Sequence, residues 1–239
     1  MDIGRKVYHP TKQLRYCSWF FAAFIWVALG SMPILTAQVS LDLFGGANTN
    51  AIHLTGKSSL HFTPRVNTLI GVQSGYHIAD RWALNLAVQY AIRGYGDAYY
   101  RTVPPPAPTS PVVPTTDFRF HYIDLVPKAT FDLTPHFRLD GGVYTAYLVD
   151  SYIREVNTDS WEPLDFGDFF SDWDFGLVTG FSIHYQRVFF FANFNWSIYP
   201  LASFNYTGAD GRKAGVAHLY NRTFQMGIGC SILKGGKAD

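Results

Sequence analysis

Charged residues and cysteine are both scarce in this chain of 239 residues. Only 15% of the residues are charged, whereas about a quarter is usual for a soluble domain. The formal net charge of +1 gives no electrostatic reason to expect nucleic-acid binding. Cys17 and Cys230 are the two cysteines, which are too few for a disulfide-rich secreted fold. After residue 37 the chain also lacks an apolar run of the length, roughly 18 residues, that a transmembrane helix needs.

The first 37 residues have the composition of an export signal. Four basic residues precede an apolar run of 13 residues from Cys17 to Leu29, and Ala37 closes the segment. A basic start, a short apolar core and a small residue at the cut are typical of a cleaved signal peptide. The alternative is an uncleaved anchor helix, but the run is short for a bilayer span of about 20 residues. We therefore predict a signal peptide over 1–37 and one exported domain over 38–239.

Aromatic residues are abundant, at 17%, and they fall on alternate positions of extended segments. In "VFFFANFNWSIYP" (188–200), one face is wholly apolar and includes Phe190 and Trp196, whereas the other begins with Phe189 and Phe191 and continues with asparagine and serine. Side chains of a strand alternate between two faces, and aromatic residues favour strands. The same alternation predicts strands near 38–47, 65–78, 81–96, 118–133, 136–154, 172–185, 187–200 and 218–233.

The connections between these eight segments alternate between short and long. Tight turns are predicted at 78–81, 133–136 and 185–187. Long segments are predicted at 48–64, 97–117, 155–171 and 201–217. Outer-membrane barrels have short periplasmic turns and long outer loops, and an even strand number places both termini on the periplasmic side. The predicted fold class is all-β: an eight-stranded antiparallel up-and-down transmembrane β-barrel in the outer membrane.

Two classes of exported protein fit the alternation, a soluble periplasmic β domain and a membrane barrel, and they differ in which face points inward. An eight-stranded interior is only just wide enough for side chains, so Trp82, Phe190 and Trp196 together would overfill it. The opposite face carries small and polar residues such as Gly71 and Gly227. We therefore predict that the apolar face contacts lipid. The predicted lipid-facing girdle consists of Tyr76, Trp82, Tyr90, Trp173, Tyr185, Trp196 and Tyr220.

The chain contains "LIGVQSGYHIADRWALNLAVQYAIRGYG", "HYIDLVPKATFDL" and "FGLVTGFSIHY", followed by a final strand. These stretches resemble the PorT-like outer-membrane β-barrels of Bacteroidota, a family of small barrels with OmpA/OmpX-type architecture. The resemblance spans most of the chain after the leader. It implies a small outer-membrane barrel, and because the best-known member of the family is linked to type IX secretion, it implies a tie to protein secretion or surface assembly.

Charged residues recur at the positions predicted to face inward. The predicted lumen charge cluster consists of Arg93, Asp124, Lys128, Asp132, Arg138 and Asp140. Asp150 and Arg154 follow on the same predicted register. A path for ions or protons is one interpretation. A salt-bridged plug is the favoured one, because buried charges must be paired, and no open pore is predicted.

The sequence shows no catalytic, cofactor-binding or metal-binding set. The acidic stretch 162–176 lacks the ligand spacing of a calcium loop, and the histidines lack metal-ligand spacing. Ser182, His184 and Asp174 come nearest to a hydrolase set, but no nucleophile elbow accompanies them. We therefore predict a protein that is not an enzyme and has no cofactor; a lipid-modifying enzyme of the outer membrane and a purely structural barrel are the alternatives.

The predicted outer loops are the remaining candidates for recognition. The stretch 103–114 contains six prolines and should be extended and stiff, and 161–173 carries aromatics of the kind common at recognition surfaces. The candidate partner-loop residues are Pro104, Pro105, Pro106, Trp161, Phe169 and Phe170. The predicted function is a binding or accessory subunit, with outer-membrane lipids and a larger outer-membrane protein complex as partners. No nucleic acid and no small-molecule substrate are expected.

Overall fold

The computed structural model describes residues 39–55, 61–98, 114–155, 158–164, 170–207 and 213–233. The predicted signal peptide and nearly all of the proline-rich stretch lie outside these residues. The strands are β1 (Val39–Thr55), β2 (His61–Ala79), β3 (Trp82–Ala98), β4 (Pro114–Asp132), β5 (Phe137–Glu155), β6 (Glu162–Pro163), β7 (Trp173–Tyr185), β8 (Val188–Ser197), β9 (Ala202–Thr207) and β10 (Lys213–Leu233). Within the described ranges, no helix is long and apolar enough to cross a bilayer.

The strands form one antiparallel sheet that closes on itself. The wall runs β1-β2-β3-β4-β5-β7-β8-β10, and β10 pairs again with β1 from Leu41–Leu233 to Thr55–His218. The short β6 pairs with β5, and β9 pairs with β10. Closure removes the exposed edges that make an open sheet prone to aggregation. The predicted eight-stranded all-β barrel is confirmed.

Strands β8 and β9 together occupy one position in the wall. The β8 strand pairs with the Arg222–Cys230 part of β10, and β9 pairs with its Lys213–Leu219 part. The interruption contains Pro200, which has no backbone N–H to donate to a ladder. The expectation of a loop over 201–217 was therefore wrong at both ends, because β9 restores the pairing after the proline and β10 already begins at Lys213.

The apolar face of the wall points outward. Phe190 and Trp196 are 61% and 52% exposed, whereas Phe189, which precedes Phe190, is 6% exposed and lies inside. On β4 the apolar band runs from Phe131, which pairs with Trp82, to Ile123, which pairs with Tyr90. These nine residues match the length of a tilted strand that crosses the hydrocarbon layer of a membrane, about 9–11 residues. The band therefore defines the membrane-spanning part of the barrel.

The sequence predicted small and polar side chains inside the barrel, but the interior also contains several aromatic rings. Phe189 and Phe191 face inward on β8, opposite glycines of β10. A Cβ on Gly229 would lie 2.1 Å from Phe189 Cζ, and one on Gly227 would lie 2.8 Å from the Phe191 ring. Because these glycines have no side chain, they leave the space that the two rings occupy. Further inward rings belong to Phe44, Tyr95, Phe120, Tyr122 and Tyr144.

A β-bulge changes the facing of the long-loop end of β5. The register between β4 and β5 shifts between His121 and Tyr122, so that His121 pairs with Asp150 and Tyr122 with Leu148. Beyond the bulge, Ser151 is buried on the lumen side and Asp150 is exposed. The expectation that Asp150 and Arg154 face the lumen was therefore wrong, because one extra residue exchanges the two faces of a strand.

Candidate functional site

The centre of the lumen is occupied by a buried ion network around Arg93. The guanidinium is 1% exposed, with Nη2 2.6 Å from Asp124 Oδ2 and Nη1 2.9 Å from Asp174 Oδ2. Strands β3, β4 and β7 supply these three side chains, so the network joins strands that are not all adjacent in the wall. One positive charge is shared between two carboxylates in a region that solvent does not reach.

Uncharged donors support both carboxylates. Gln89 Nε2 donates to Asp124 Oδ2 at 2.7 Å, and Asn221 Nδ2 donates to Asp174 Oδ2 at 2.9 Å. The Tyr144 hydroxyl donates to Asp174 Oδ1 at 3.2 Å. The guanidinium carbon also lies 4.6 Å from the Tyr122 ring centroid. These hydrogen bonds disperse the negative charge that the single arginine does not neutralise, and the cation–π contact stabilises the buried guanidinium.

Two further ion pairs follow towards the short-turn end of the barrel. Lys128 Nζ lies 3.2 Å from Asp140 Oδ2, and Arg138 Nε lies 2.9 Å from Asp132 Oδ1. The cavity lined by Lys128 and Asp140 has a volume of about 30 Å³, and roughly 10–15 Å³ of such space is enough to hold one water. The lumen at this level therefore has room for a few waters rather than for a transported solute.

The six predicted lumen charges thus all lie on the inner side and form ion pairs. Sequence reasoning omitted Asp174 from this set and considered it as part of a hydrolase set. The omission has a physical reason: partners across a barrel depend on the register of non-adjacent strands, which no local pattern reports.

The structure does not bring together the three residues of the considered hydrolase set. Ser182 Oγ lies 2.9 Å from His184 Nε2, as a nucleophile and base would. Asp174, however, is bound to Arg93, Tyr144 and Asn221 in the central network. The Ser182–His184 pair therefore lacks the acid that sequence reasoning assigned to it.

A hydrophobic cap closes the lumen at the long-loop end. Phe170 is 8% exposed, lies 5.8 Å from the Phe120 ring, and packs with Leu201, Ala202 and Leu219. Backbone bonds hold the cap, since Ser171 N donates to Leu201 O at 2.8 Å. The expectation that Phe170 is an exposed partner-loop residue was therefore wrong, because its ring packs against Phe120, Leu201 and Leu219. Pro104, Pro105, Pro106 and Phe169 lie outside the described residues.

Trp161, the remaining candidate partner-loop residue, lies on the exterior beside the wall. It is half-buried, with its ring centroid 3.9 Å from the guanidinium carbon of Arg119 and 4.7 Å from that of Arg154. The predicted girdle residues also lie on the exterior. Tyr76, Trp82, Tyr90, Trp173, Tyr185 and Trp196 are exposed, and Tyr220 is half-buried under Arg222.

We expect purified barrels in planar bilayers to show no stable, large conductance. The Arg93 network and the Phe170 cap both lie across the lumen, and eight strands leave only enough width for side chains. Single-channel recording at both polarities measures this, with a wide-pore porin as the positive control. Steady openings at the level of that porin would contradict a closed lumen.

In the part of the chain that the structure describes, no three His, Cys, Asp or Glu side chains are arranged to hold a metal ion. The chemistry that the described side chains offer at the lumen is that of ion pairs, amides, hydroxyls and aromatic rings. At the long-loop end it is that of arginines and aromatic rings on the exterior.

Comparison with known proteins gives one family and several structural neighbours. A sequence model described as "Outer membrane protein beta-barrel domain" matches residues 35–203. No curated protein sequence shows significant similarity to this chain.

The structural neighbours include Ail of Yersinia pestis, with a TM-score of 0.42 and 10% identity over 82% of this chain and 99% of that one. Neisserial surface protein A has a TM-score of 0.45 and 16% identity over 80% of this chain and 97% of that one. OprG of Pseudomonas aeruginosa has a TM-score of 0.45 and 14% identity, covering 83% of this chain and 98% of that one.

Proposed function

Because this chain belongs to the outer membrane protein β-barrel domain family, we propose that it is a non-enzymatic barrel that acts as a binding or accessory subunit through the segments at its long-loop end. The fold itself indicates the outer membrane as the location. The exterior band of exposed apolar side chains suits contact with lipid.

The observation that carries the proposal is the filled lumen. A barrel that conducts or transports needs a path along its axis, whereas here Arg93 and its two carboxylate partners are buried at the centre. The apolar wall is covered by lipid once the barrel is inserted. The surface left for recognition is therefore the long-loop end.

The orientation and the finer role belong to the same proposal. Both ends of the barrel domain, near Val39 and Leu233, lie on the side of the short turns, which is the periplasmic side in outer-membrane barrels. A cleaved signal peptide over 1–37 would deliver the chain there. A tie to protein secretion or surface assembly, with a larger outer-membrane complex as the partner, follows from the resemblance to PorT-like barrels.

We expect affinity purification from crosslinked outer membranes to recover a reproducible protein partner. The test variant replaces residues 103–113 with a Gly/Ser segment of equal length, which removes the prolines without shortening the loop. The control replaces 208–212 in the same way, because this segment joins two strands at the same end. The proposal expects the partner to be lost in the first variant and retained in the second.

Three results would contradict this proposal. Equal recovery of the partner with both variants would show that the proline-rich loop is not needed for binding. An altered membrane lipid in a deletion strain, restored by the wild type but not by Ser182→Ala or His184→Ala, would instead favour the lipid-modifying enzyme. Growth defects under membrane stress without any partner would favour the purely structural barrel.

A further inference from the structure

The exterior of the barrel carries a compact group of basic side chains at the long-loop end. We define the arginine–tryptophan cluster as Arg65, Asp117, Arg119, Arg154 and Trp161. These residues come from β2, β4, β5 and the segment before β6. Its members are brought together by pairing of the strands, not by proximity in the sequence. Neither the lumen network nor the proposed partner loop accounts for the cluster.

Asp117 holds two of the arginines in fixed positions. Its Oδ1 lies 2.6 Å from Arg65 Nη2, and its Oδ2 lies 2.8 Å from Arg154 Nη2. Gly96 gives room for this group, since a Cβ there would lie 3.0 Å from Arg65 Nη2. Asp117 is beyond Ile123 and therefore outside the apolar band. Burial opposes ionisation of its carboxyl group, but the hydrogen bonds from Arg154 and Arg65 outweigh it and hold the pKa below its ordinary value.

Trp161 positions the third arginine. The Arg119 guanidinium carbon lies 3.9 Å from the indole ring centroid, and Arg154 approaches the same ring at 4.7 Å. Stacking on an aromatic face leaves the N–H groups at the edge of a guanidinium free to donate in its own plane. Within the described ranges, no carboxylate forms an ion pair with Arg119. The cluster thus presents oriented donors that its own acid does not use.

The neighbouring acids leave this face positive. Glu155 follows Arg154 in the same strand and points to the opposite face, and Glu162 pairs with Ile153, which also points to that face. Asp150 shares the outer face, where it accepts the Tyr152 hydroxyl at 2.5 Å and the Ser151 N–H at 3.0 Å. Among these described side chains, three guanidiniums therefore face the two carboxylates of Asp117 and Asp150.

We propose that the arginine–tryptophan cluster binds the phosphate group of a lipid head group in the leaflet at the long-loop end. Arginine matches phosphate by donating parallel N–H groups. The cluster also has a suitable height. Arg119 lies four residues beyond Ile123, where the apolar band ends, which is roughly 10 Å along the axis of a tilted strand. An exterior site just above the hydrocarbon layer is reached by membrane lipids from the side.

This inference rests on the proposed membrane placement but not on the partner-binding role. The test uses the full folded chain in detergent and measures retained lipid by native mass spectrometry. The ligand is a lipid A bearing phosphate, compared with the same lipid A after dephosphorylation. The variants are Arg119→Gln and the double variant Arg119→Gln/Arg154→Gln.

Arg222→Gln is the matched control. Arg222 is also an outward arginine stacked on a tryptophan, 4.3 Å from the Trp196 ring, but its Nη1 donates to the backbone oxygen of Ser197 at 2.6 Å. We expect retention of the phosphorylated lipid to fall about fivefold for each cluster arginine removed, the effect of one basic residue near an anionic lipid surface. Arg222→Gln should leave retention unchanged, and the dephosphorylated lipid should be retained weakly by every variant.

Three outcomes would overturn the proposal. They are equal retention by the wild type and the double variant, equal retention of the two lipids, and displacement of the lipid by inorganic phosphate at the same concentration, which would indicate a site for free anions. Heat-modifiable migration in gel electrophoresis checks that each variant is folded. Arg119→Gln breaks no ion pair of the described residues, so the test does not depend on a variant that fails to fold.

Discussion

Replacing Arg93 with glutamine is expected to destabilise the barrel by about 3–5 kcal/mol, the usual effect of removing one partner from a buried ion pair. Asp124 and Asp174 would then face each other across the lumen without a cation, and both are at most 1% exposed. The measurement is urea denaturation of the barrel in lipid vesicles, followed by tryptophan fluorescence.

Two variants make this prediction specific. Arg138→Gln breaks an ion pair whose side chains are 28% and 15% exposed, and because solvent screens such a pair, we expect a loss of about 1 kcal/mol or less. Asp124→Asn in the Arg93→Gln background removes one unpaired charge and should recover part of the lost stability. Equal losses for Arg93→Gln and Arg138→Gln would show that the central network contributes nothing beyond an ordinary ion pair.

Replacing Gly46 with valine is expected to cost at least about 3 kcal/mol, the upper range for overpacking. Gly46 pairs with Gly227 where β1 meets β10. A Cβ on Gly46 would lie 2.1 Å from Met226 O and 2.7 Å from Gly227 Cα. Both obstacles are backbone atoms, so no side chain can rotate away and the two strands must separate. The gain of about 1 kcal/mol from the strand preference of valine does not offset this.

Gly141→Ala is the control for the Gly46 variant. Gly141 is also a strand glycine, but a Cβ there would meet no atom within 4 Å, so we expect little change in stability. Heat-modifiability in gel electrophoresis and the urea midpoint in vesicles measure both variants. A Gly46→Val barrel with the midpoint of the wild type would show that the β1–β10 contact tolerates an expansion that these distances exclude.

Alternation of side chains was enough to predict the eight strand positions of the barrel wall and the outward direction of the apolar face. A period of two is a local property, and each strand of a barrel repeats it independently. The prediction of strands from this alternation failed where polar residues of a strand face the polar lumen. Asn48 and Asn50 indicated a loop, whereas they lie inside β1 and donate to Ile92 O and Asn221 Oδ1. An inward asparagine in a polar lumen and a loop asparagine have the same sequence signature.

Irregular positions were the second source of error. The bulge before Ser151 moved Asp150 and Arg154 to the exterior, and Pro200 interrupts one wall strand without ending it. The bulge carries no sequence signal of its own, since bulges depend on the fit of two strands, and the proline does not report that pairing resumes two residues later. For the same reason the stacking of Arg119 and Arg154 on Trp161 was not foreseen. It combines β4, β5 and a segment that was predicted to be a loop.

The contact between β1 and β10 also determines when the barrel can finish folding. This ladder joins Leu41 with Leu233 and Thr55 with His218, the two extremes of the domain. Contacts between distant positions require a large loss of chain entropy before they form, and they slow folding. A chain lacking β10 would leave β1 and β8 with unpaired backbone groups, which hydrocarbon cannot accommodate. The domain therefore has no stable partly folded form in the membrane. One edge of β1 stays unpaired until β10 pairs with it.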